Sequence, residues 1–220
     1  KKMIYISTPF SKEAAQRLNN LQVKAFKIGS GECNNYPLIT EICKYKKPII
    51  LSTGMNNLES IKIATKIIEK NKIPYALMHC TNLYPTPSKL IRLNAVSQLK
   101  KKFPKAVIGL SDHSNNNLSA YAALGLGVSI IEKHFVLNHT DSVDGFFSLD
   151  TKGFHDLVTN IHMSEEAIGI VDYAIPDSAK ANFFARRSLY ISANVRKGDT
   201  ITTNNVKCVR PGYGLHPKYF

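Results

Sequence analysis

Apolar positions over roughly the first 135 residues fall into two alternating patterns. Short apolar, β-branched runs read as buried strands: Met3–Ile6, Ala25–Ile28, Pro48–Leu51, Tyr75–Met78, Ala106–Leu110 and Ser129–Ile131. Between them, apolar residues recur at helical spacing. Leu58, Ile61, Ile63, Ala64, Ile67 and Ile68 make one such face, and Leu38, Ile39 and Ile42 another. The strand runs are apolar throughout rather than alternating, which suits strands covered on both faces. Six consecutive strand–helix units predict a parallel α/β fold.

Two parallel architectures compete, an open doubly wound sheet and a closed barrel. A dinucleotide-binding sheet would show G-x-G-x-x-G after its first strand, and Gly29-Ser30-Gly31-Glu32 is too short to count. The polar residues decide. Each strand run ends in functional groups: Thr8, Lys27 with Ser30, Ser52 with Thr53, His79 with Asn82, Ser111 to His113, and Glu132 with His134. Functional groups at the carboxyl ends of successive strands mark a (β/α)8 TIM barrel. Six of eight units are visible, so the barrel is expected to lack about its first two strands, with Lys1 read as a cut inside a longer protein.

After Asp150 the pattern changes. Residues 153–170 read as one amphipathic helix, and 171–185, which includes Pro176, as a linker. From Arg187 the period shortens to two, in Ser188-Leu189-Tyr190-Ile191 and again in Thr200-Ile201-Thr202. The expected organisation is a partial barrel over 1–170, the linker over 171–185, and a partial small β-rich domain over 186–220.

Composition narrows the function. Hydrophobic residues make up 44% and charged residues 20%, enough to bury a core and too ordered a mixture for long disorder. No apolar run approaches the ~20 residues that cross a bilayer, so a membrane role is not expected. Cys33, Cys43, Cys80 and Cys208 are scattered with no C-x-x-C pair, which points to reduced thiols and a cytoplasmic home. The net charge of +13 could attract anions, but the lysines are spread over helical segments without interleaved aromatics. A solvated surface is the better reading, and nucleic acid is not an expected partner.

Three stretches carry chemistry. In Lys27-Ile28-Gly29-Ser30-Gly31-Glu32, a lysine sits inside an apolar strand, where an unpaired ammonium is expensive. It needs a barrel mouth or an anionic ligand. Ser111-Asp112-His113 and Glu132-Lys133-His134 end successive strands, so the two histidines are expected at one rim. Imidazoles suit first-row divalent metals, and two of them leave positions for water and substrate. In His79-Cys80-Thr81-Asn82-Leu83-Tyr84-Pro85-Thr86-Pro87, the prolines extend a loop that offers Asn82 and Tyr84 to a polar ligand.

These stretches, together with ISTPF (residues 6–10), PIILSTGM (48–55) and IEKHF (131–135), closely resemble the bacterial N-acetylneuraminate (sialic acid) synthases. The resemblance implies a phosphoenolpyruvate-dependent barrel followed by a small antifreeze-like (SAF) domain, working as a domain-swapped homodimer. It implies phosphoenolpyruvate contacts at Thr8, Lys27, Ser52, Asn82 and Ser111. His113 and His134 would hold a manganese or magnesium ion. Glu32, Tyr84 and Asp144 would hold or activate the amino sugar, with Glu32 the candidate for proton handling, and Arg210 would reach into a partner's active site. Typical members read Gly-Pro-Asp where this chain has Ser142-Val143-Asp144, followed by Phe146 and Phe147.

The expected reaction condenses phosphoenolpyruvate with N-acetylmannosamine to N-acetylneuraminate and phosphate, the 220-residue chain alone being inactive. The nearest alternative makes legionaminic or pseudaminic acid from a dideoxy diamino sugar, with KIGSGECNNYPL and HCTNLYPTP favouring the sialic or legionaminic branch. An alternative of another class is a non-catalytic sugar-phosphate-binding barrel.

Overall fold

Five of the six expected strands form, in a computed structural model that describes residues 3–220. They are β1 (Phe26–Ile28), β2 (Ile49–Ser52), β3 (Tyr75–Cys80), β4 (Val107–Asp112) and β5 (Ile130–Lys133), each within two residues of expectation at either end. They pair in parallel in chain order, β1-β2-β3-β4-β5, and the sheet curls as part of a barrel. The run Met3–Ile6 does not become a strand. It leads into a single parallel bridge, Ser7 to Phe26, while Ile4 and Tyr5 are exposed. An apolar run becomes a strand only where its backbone finds a partner along its length.

The helices lie between the strands as the periodicity requires: α1 (Lys12–Asn20), α2 (Tyr36–Cys43), α3 (Leu58–Lys70), the short α4 (Ser88–Ile91), α5 (Asn94–Lys102), α6 (Leu118–Gly125) and α7 (Thr151–Ile168). Their starts are set by capping side chains. Ser11 Oγ accepts from Ala14 N at 3.1 Å, Asn57 Oδ1 from Ser60 N at 2.9 Å, and Asp150 Oδ1 from Gly153 N at 2.7 Å. Each cap satisfies an amide that the first helical turn leaves unpaired.

The core fills the space between the sheet and its helices. Phe26, Ile28, Ile49, Leu51, Leu77 and Leu110 from the strands meet Ile39 and Ile42 of α2, Ala64 and Ile68 of α3 and Val96 of α5, all essentially inaccessible. A smaller cluster of Ala120, Leu149 and Leu157 packs α7 under α6. No helix among the described residues is long and apolar enough to cross a membrane.

The chain divides into two compact units, Lys1–Gly169 and Ile170–Phe220. The second holds a short helix, α8 (Asp177–Lys180), and the antiparallel pair β6 (Ser188–Ile191) and β7 (Val206–Val209). The segment expected as linker thus carries helical turns. The partner of β6 is β7 and not Thr200–Thr202, because Asn205 Oδ1 accepts from Thr202 N at 2.8 Å and closes a turn there.

Candidate active site

Strand parity decides which side chains meet. Successive residues of a strand point to opposite faces. In the first unit Phe26 and Ile28, Ile49 and Leu51, Tyr75 and Leu77, and Ile108 and Leu110 face the helices. The alternate positions, Lys27, Ser52, Cys80, Ser111 and Glu132, therefore share the other face. In register, Ser111 stands beside Cys80 on one side and Glu132 on the other. Just beyond the strands follow Asn82, Tyr84, His113 and His134, and Thr8 comes from the first run. All of these line one open cleft of about 500 Å3.

Lys27 is only 14% exposed at its side chain. Its ammonium donates to Ser52 Oγ at 2.7 Å and lies 3.5 Å from Glu132 Oε1. The other carboxylate oxygen, Glu132 Oε2, is buried without a hydrogen-bond partner. A buried carboxylate oxygen left unpaired is costly, and here it stands on the wall of a cleft. Gly54, which follows β2, donates its amide to Ser30 Oγ at 3.1 Å. A side chain at Gly54 would run into Asn82 and lie 2.9 Å from Ser30 Oγ, so its absence lets Asn82 sit at the cleft wall.

The histidine rings meet edge to face with centroids 5.2 Å apart. His113 Nδ1 donates to Thr81 O at 2.9 Å, and His134 Nδ1 lies 3.5 Å from Asp144 Oδ2. Tyr84 tilts over His113 at 4.2 Å, and Phe147 backs His134 at 4.8 Å. Tying up Nδ1 leaves the other nitrogen of each ring as a ligand atom, the usual support for metal-bound histidine. Among the described residues no group of three or more His, Cys, Asp or Glu side chains could hold a metal. Two imidazoles would supply part of a divalent ion's shell, with water and substrate completing it. Burial alone would raise the Cys80 thiol, but hydrogen bonds with His113, Ser30 and Ser111 outweigh it and hold the thiol below its ordinary value. Burial pushes the Tyr84 phenol up.

Eight expected residues thus meet in the cleft: Thr8, Lys27, Ser52, Asn82, Tyr84, Ser111, His113 and His134. Asp144 reaches it through His134. Glu32 does not line it. It sits half-buried on the turn after β1, where Oε2 accepts from Asn35 at 2.6 Å. Arg210 is exposed in the second unit, just after β7. The sequence pattern places Glu132 among the strand-end groups but gives it no role, and it assigns nothing to the pair Lys133 and Asp112. Glu132 shares parity with His134 at the end of β5. Lys133 and Asp112, 2.7 Å apart with side chains each 1% exposed, form a buried ion pair at the ends of β5 and β4.

The NeuB family profile matches residues 1–173. The chain is 37% identical to a pseudaminic acid synthase of Campylobacter jejuni over 220 residues, 99% of this chain and 64% of that protein. It is equally 37% identical to the N,N'-diacetyllegionaminic acid synthase of the same species over 216 residues, 96% of this chain and 64% of the relative. Among solved structures, the N-acetylneuraminic acid synthetase of Leptospira borgpetersenii in complex with citrate superimposes with a TM-score of 0.77 at 29% identity, covering 82% of this chain and 63% of that one. The chain therefore spans 64% of the length of these two curated relatives. Equal identity to both synthases removes the preference for the sialic or legionaminic branch over the pseudaminic one.

Proposed function

The chain belongs to the NeuB family, and from that premise we propose that it condenses phosphoenolpyruvate with an N-acylated amino sugar, giving a deoxy keto sugar acid and phosphate. The observation that carries this reading is the convergence of a largely enclosed lysine, two serines, a carboxylate and two imidazoles on one cleft. The phosphoenolpyruvate anion is held by Lys27 as a point charge, with Ser52, Ser111, Asn82 and Thr8 donating to its oxygens. A divalent ion, Mn2+ or Mg2+, held by His113 and His134 would polarise the sugar carbonyl as a Lewis acid.

The carbon–carbon bond forms between the enol carbon and the sugar aldehyde. Water adds to the cation left behind, and phosphate departs by carbon–oxygen cleavage. We assign proton handling to Glu132 rather than Glu32. Glu132 lines the cleft and its Oε2 has no hydrogen-bond partner, while Asn35 occupies Oε2 of Glu32. Asp144 keeps His134 oriented and presents its remaining acceptor capacity to the sugar. The same reading takes residues 186–220 as part of the antifreeze-like domain, with Arg210 reaching into a partner's active site in a domain-swapped homodimer.

The test is phosphate release from phosphoenolpyruvate by the complete natural chain that contains residues 1–220. Release should require both an N-acyl amino sugar and a divalent metal. Binding of phosphoenolpyruvate and sugar without turnover would instead establish the non-catalytic alternative. Lys27→Ala should cost on the order of 1.5–3 kcal/mol of phosphoenolpyruvate affinity, a rise in its KM of roughly 10- to 150-fold. The KM for the sugar should move far less. A change confined to the sugar would show that Lys27 serves the other subsite.

A further inference from the structure

The two histidines of the cleft stand on unlike supports. His134 faces a carboxylate, Asp144, whereas Nδ1 of His113 donates to a main-chain carbonyl, Thr81 O, at 2.9 Å. A carbonyl orients a ring only if the loop that carries it is itself held. The loop over residues 81–86 lies partly in water, with Leu83 and Tyr84 both exposed. Thr86 holds it. This residue is 5% exposed and is not part of the cleft lining. Its amide donates to His113 O at 3.0 Å, which ties the far end of the loop to the backbone of the histidine itself. Its hydroxyl donates to Leu83 O at 2.7 Å and lies 3.1 Å from Thr81 O, the acceptor of the His113 ring. Leu83 N closes the turn onto the same Thr81 O at 3.0 Å. Tyr84 sits between these anchors, its ring 4.2 Å from that of His113.

We propose that Thr86 is a positioning residue for the divalent metal: it holds the turn over residues 81–86 so that Thr81 O takes the Nδ1 proton of His113 and Nε2 is left free for the ion. The proposal rests on the reading above that His113 and His134 hold that ion. A neutral imidazole carries one proton, and the acceptor that takes it fixes which nitrogen remains to bind metal. Groups that orient a ligand histidine in this way are worth about 10- to 100-fold in metal affinity. Thr86 acts through the loop and touches neither ring of the pair, so its effect falls on the orientation of His113 and on Tyr84 stacked against it.

The experiment uses two variants of the complete natural chain. Thr86→Val keeps the shape and the main-chain amide but removes the hydroxyl, and Thr86→Ser keeps the hydroxyl. Calorimetric titration with Mn2+ should show about 10-fold weaker binding in Thr86→Val and near-parental binding in Thr86→Ser. Phosphate release by Thr86→Val should be impaired at low Mn2+ and recover as Mn2+ is raised, with the KM for phosphoenolpyruvate unmoved. A general loss of packing would give no such recovery. Undiminished Mn2+ affinity in Thr86→Val, or a loss in Thr86→Ser as large as in Thr86→Val, would overturn the positioning role while leaving the two-histidine site standing. Nitrogen-15 NMR of the metal-free parent needs no variant: neutral His113 should carry its proton on Nδ1, and a proton on Nε2 instead would overturn the role as well. A parent that binds no Mn2+ would bring down the metal reading and the role of Thr86 with it.

Discussion

Replacing Lys133 by methionine is expected to destabilise the first unit by about 3–5 kcal/mol, a large share of the ~5–15 kcal/mol that keeps a domain folded. The Lys133 ammonium lies 2.7 Å from Asp112 Oδ2, with both side chains 1% exposed. It also donates to Ser114 O at 2.6 Å and to Asn116 O at 2.8 Å. Asp112 in turn accepts from Ser114 N at 2.9 Å and Ser119 Oγ at 2.6 Å. The network ties β4, β5 and the start of α6 together directly behind His113 and His134. Methionine matches the stem of lysine but leaves a buried carboxylate without its cation and the Ser114 carbonyl without a donor, Asn116 O keeping only Ser114 Oγ. Urea denaturation of the purified protein measures the loss. Adding Asp112→Leu to Lys133→Met should recover part of it, because the uncompensated charge is then gone. A midpoint shift equivalent to less than about 1 kcal/mol would show that the pair is dispensable.

His134→Ala is expected to leave the fold intact and to abolish metal-dependent turnover, by roughly three orders of magnitude. Lewis-acid stabilisation contributes several kcal/mol, and each 1.4 kcal/mol is about tenfold. His113→Ala should behave alike, since the rings stand 5.2 Å apart at the ends of neighbouring strands. Calorimetric titration with Mn2+ supplies a second readout: wild type should bind one ion, and each variant should lose it. The circular dichroism of both variants should match the parent. Binding of Mn2+ undiminished in either variant would place the metal elsewhere. Asp144→Asn keeps the shape beside His134 and removes the charge, so metal affinity should fall about 10-fold without disappearing.

The strand–helix alternation and the common face of its chemistry were legible because buried strands are short, apolar and bounded by polar ends. The run Met3–Ile6 has the same composition as the true strands, but pairing makes a strand, and composition does not report pairing. Thr200–Thr202 misled for a related reason. Threonines suit strands, yet here one of them closes a turn with Asn205. Glu132 is named at its strand end but given no role, because residue type is weighed there without parity. Counting alternate positions from His134 would have placed it in the cleft. Glu32 was favoured for its place beside a glycine-rich turn, but that turn carries it off the lining and Asn35 engages it. The branch of the family was not legible at all. The motifs that identify the family are matched by pseudaminic and legionaminic acid synthases at the same identity, so they do not separate the branches.

Each strand of the sheet pairs with its immediate successor in the chain. A nascent polypeptide can therefore add one strand and one helix at a time to an edge that already exists, with no ladder waiting on distant residues. The closure entropy of every step is that of a single short connection and grows only slowly with its length. The order of synthesis is then also the order in which the cleft acquires these groups: Thr8 and Lys27 come early, Ser52, Asn82, Tyr84, Ser111 and His113 follow, and Glu132 with His134 completes the lining.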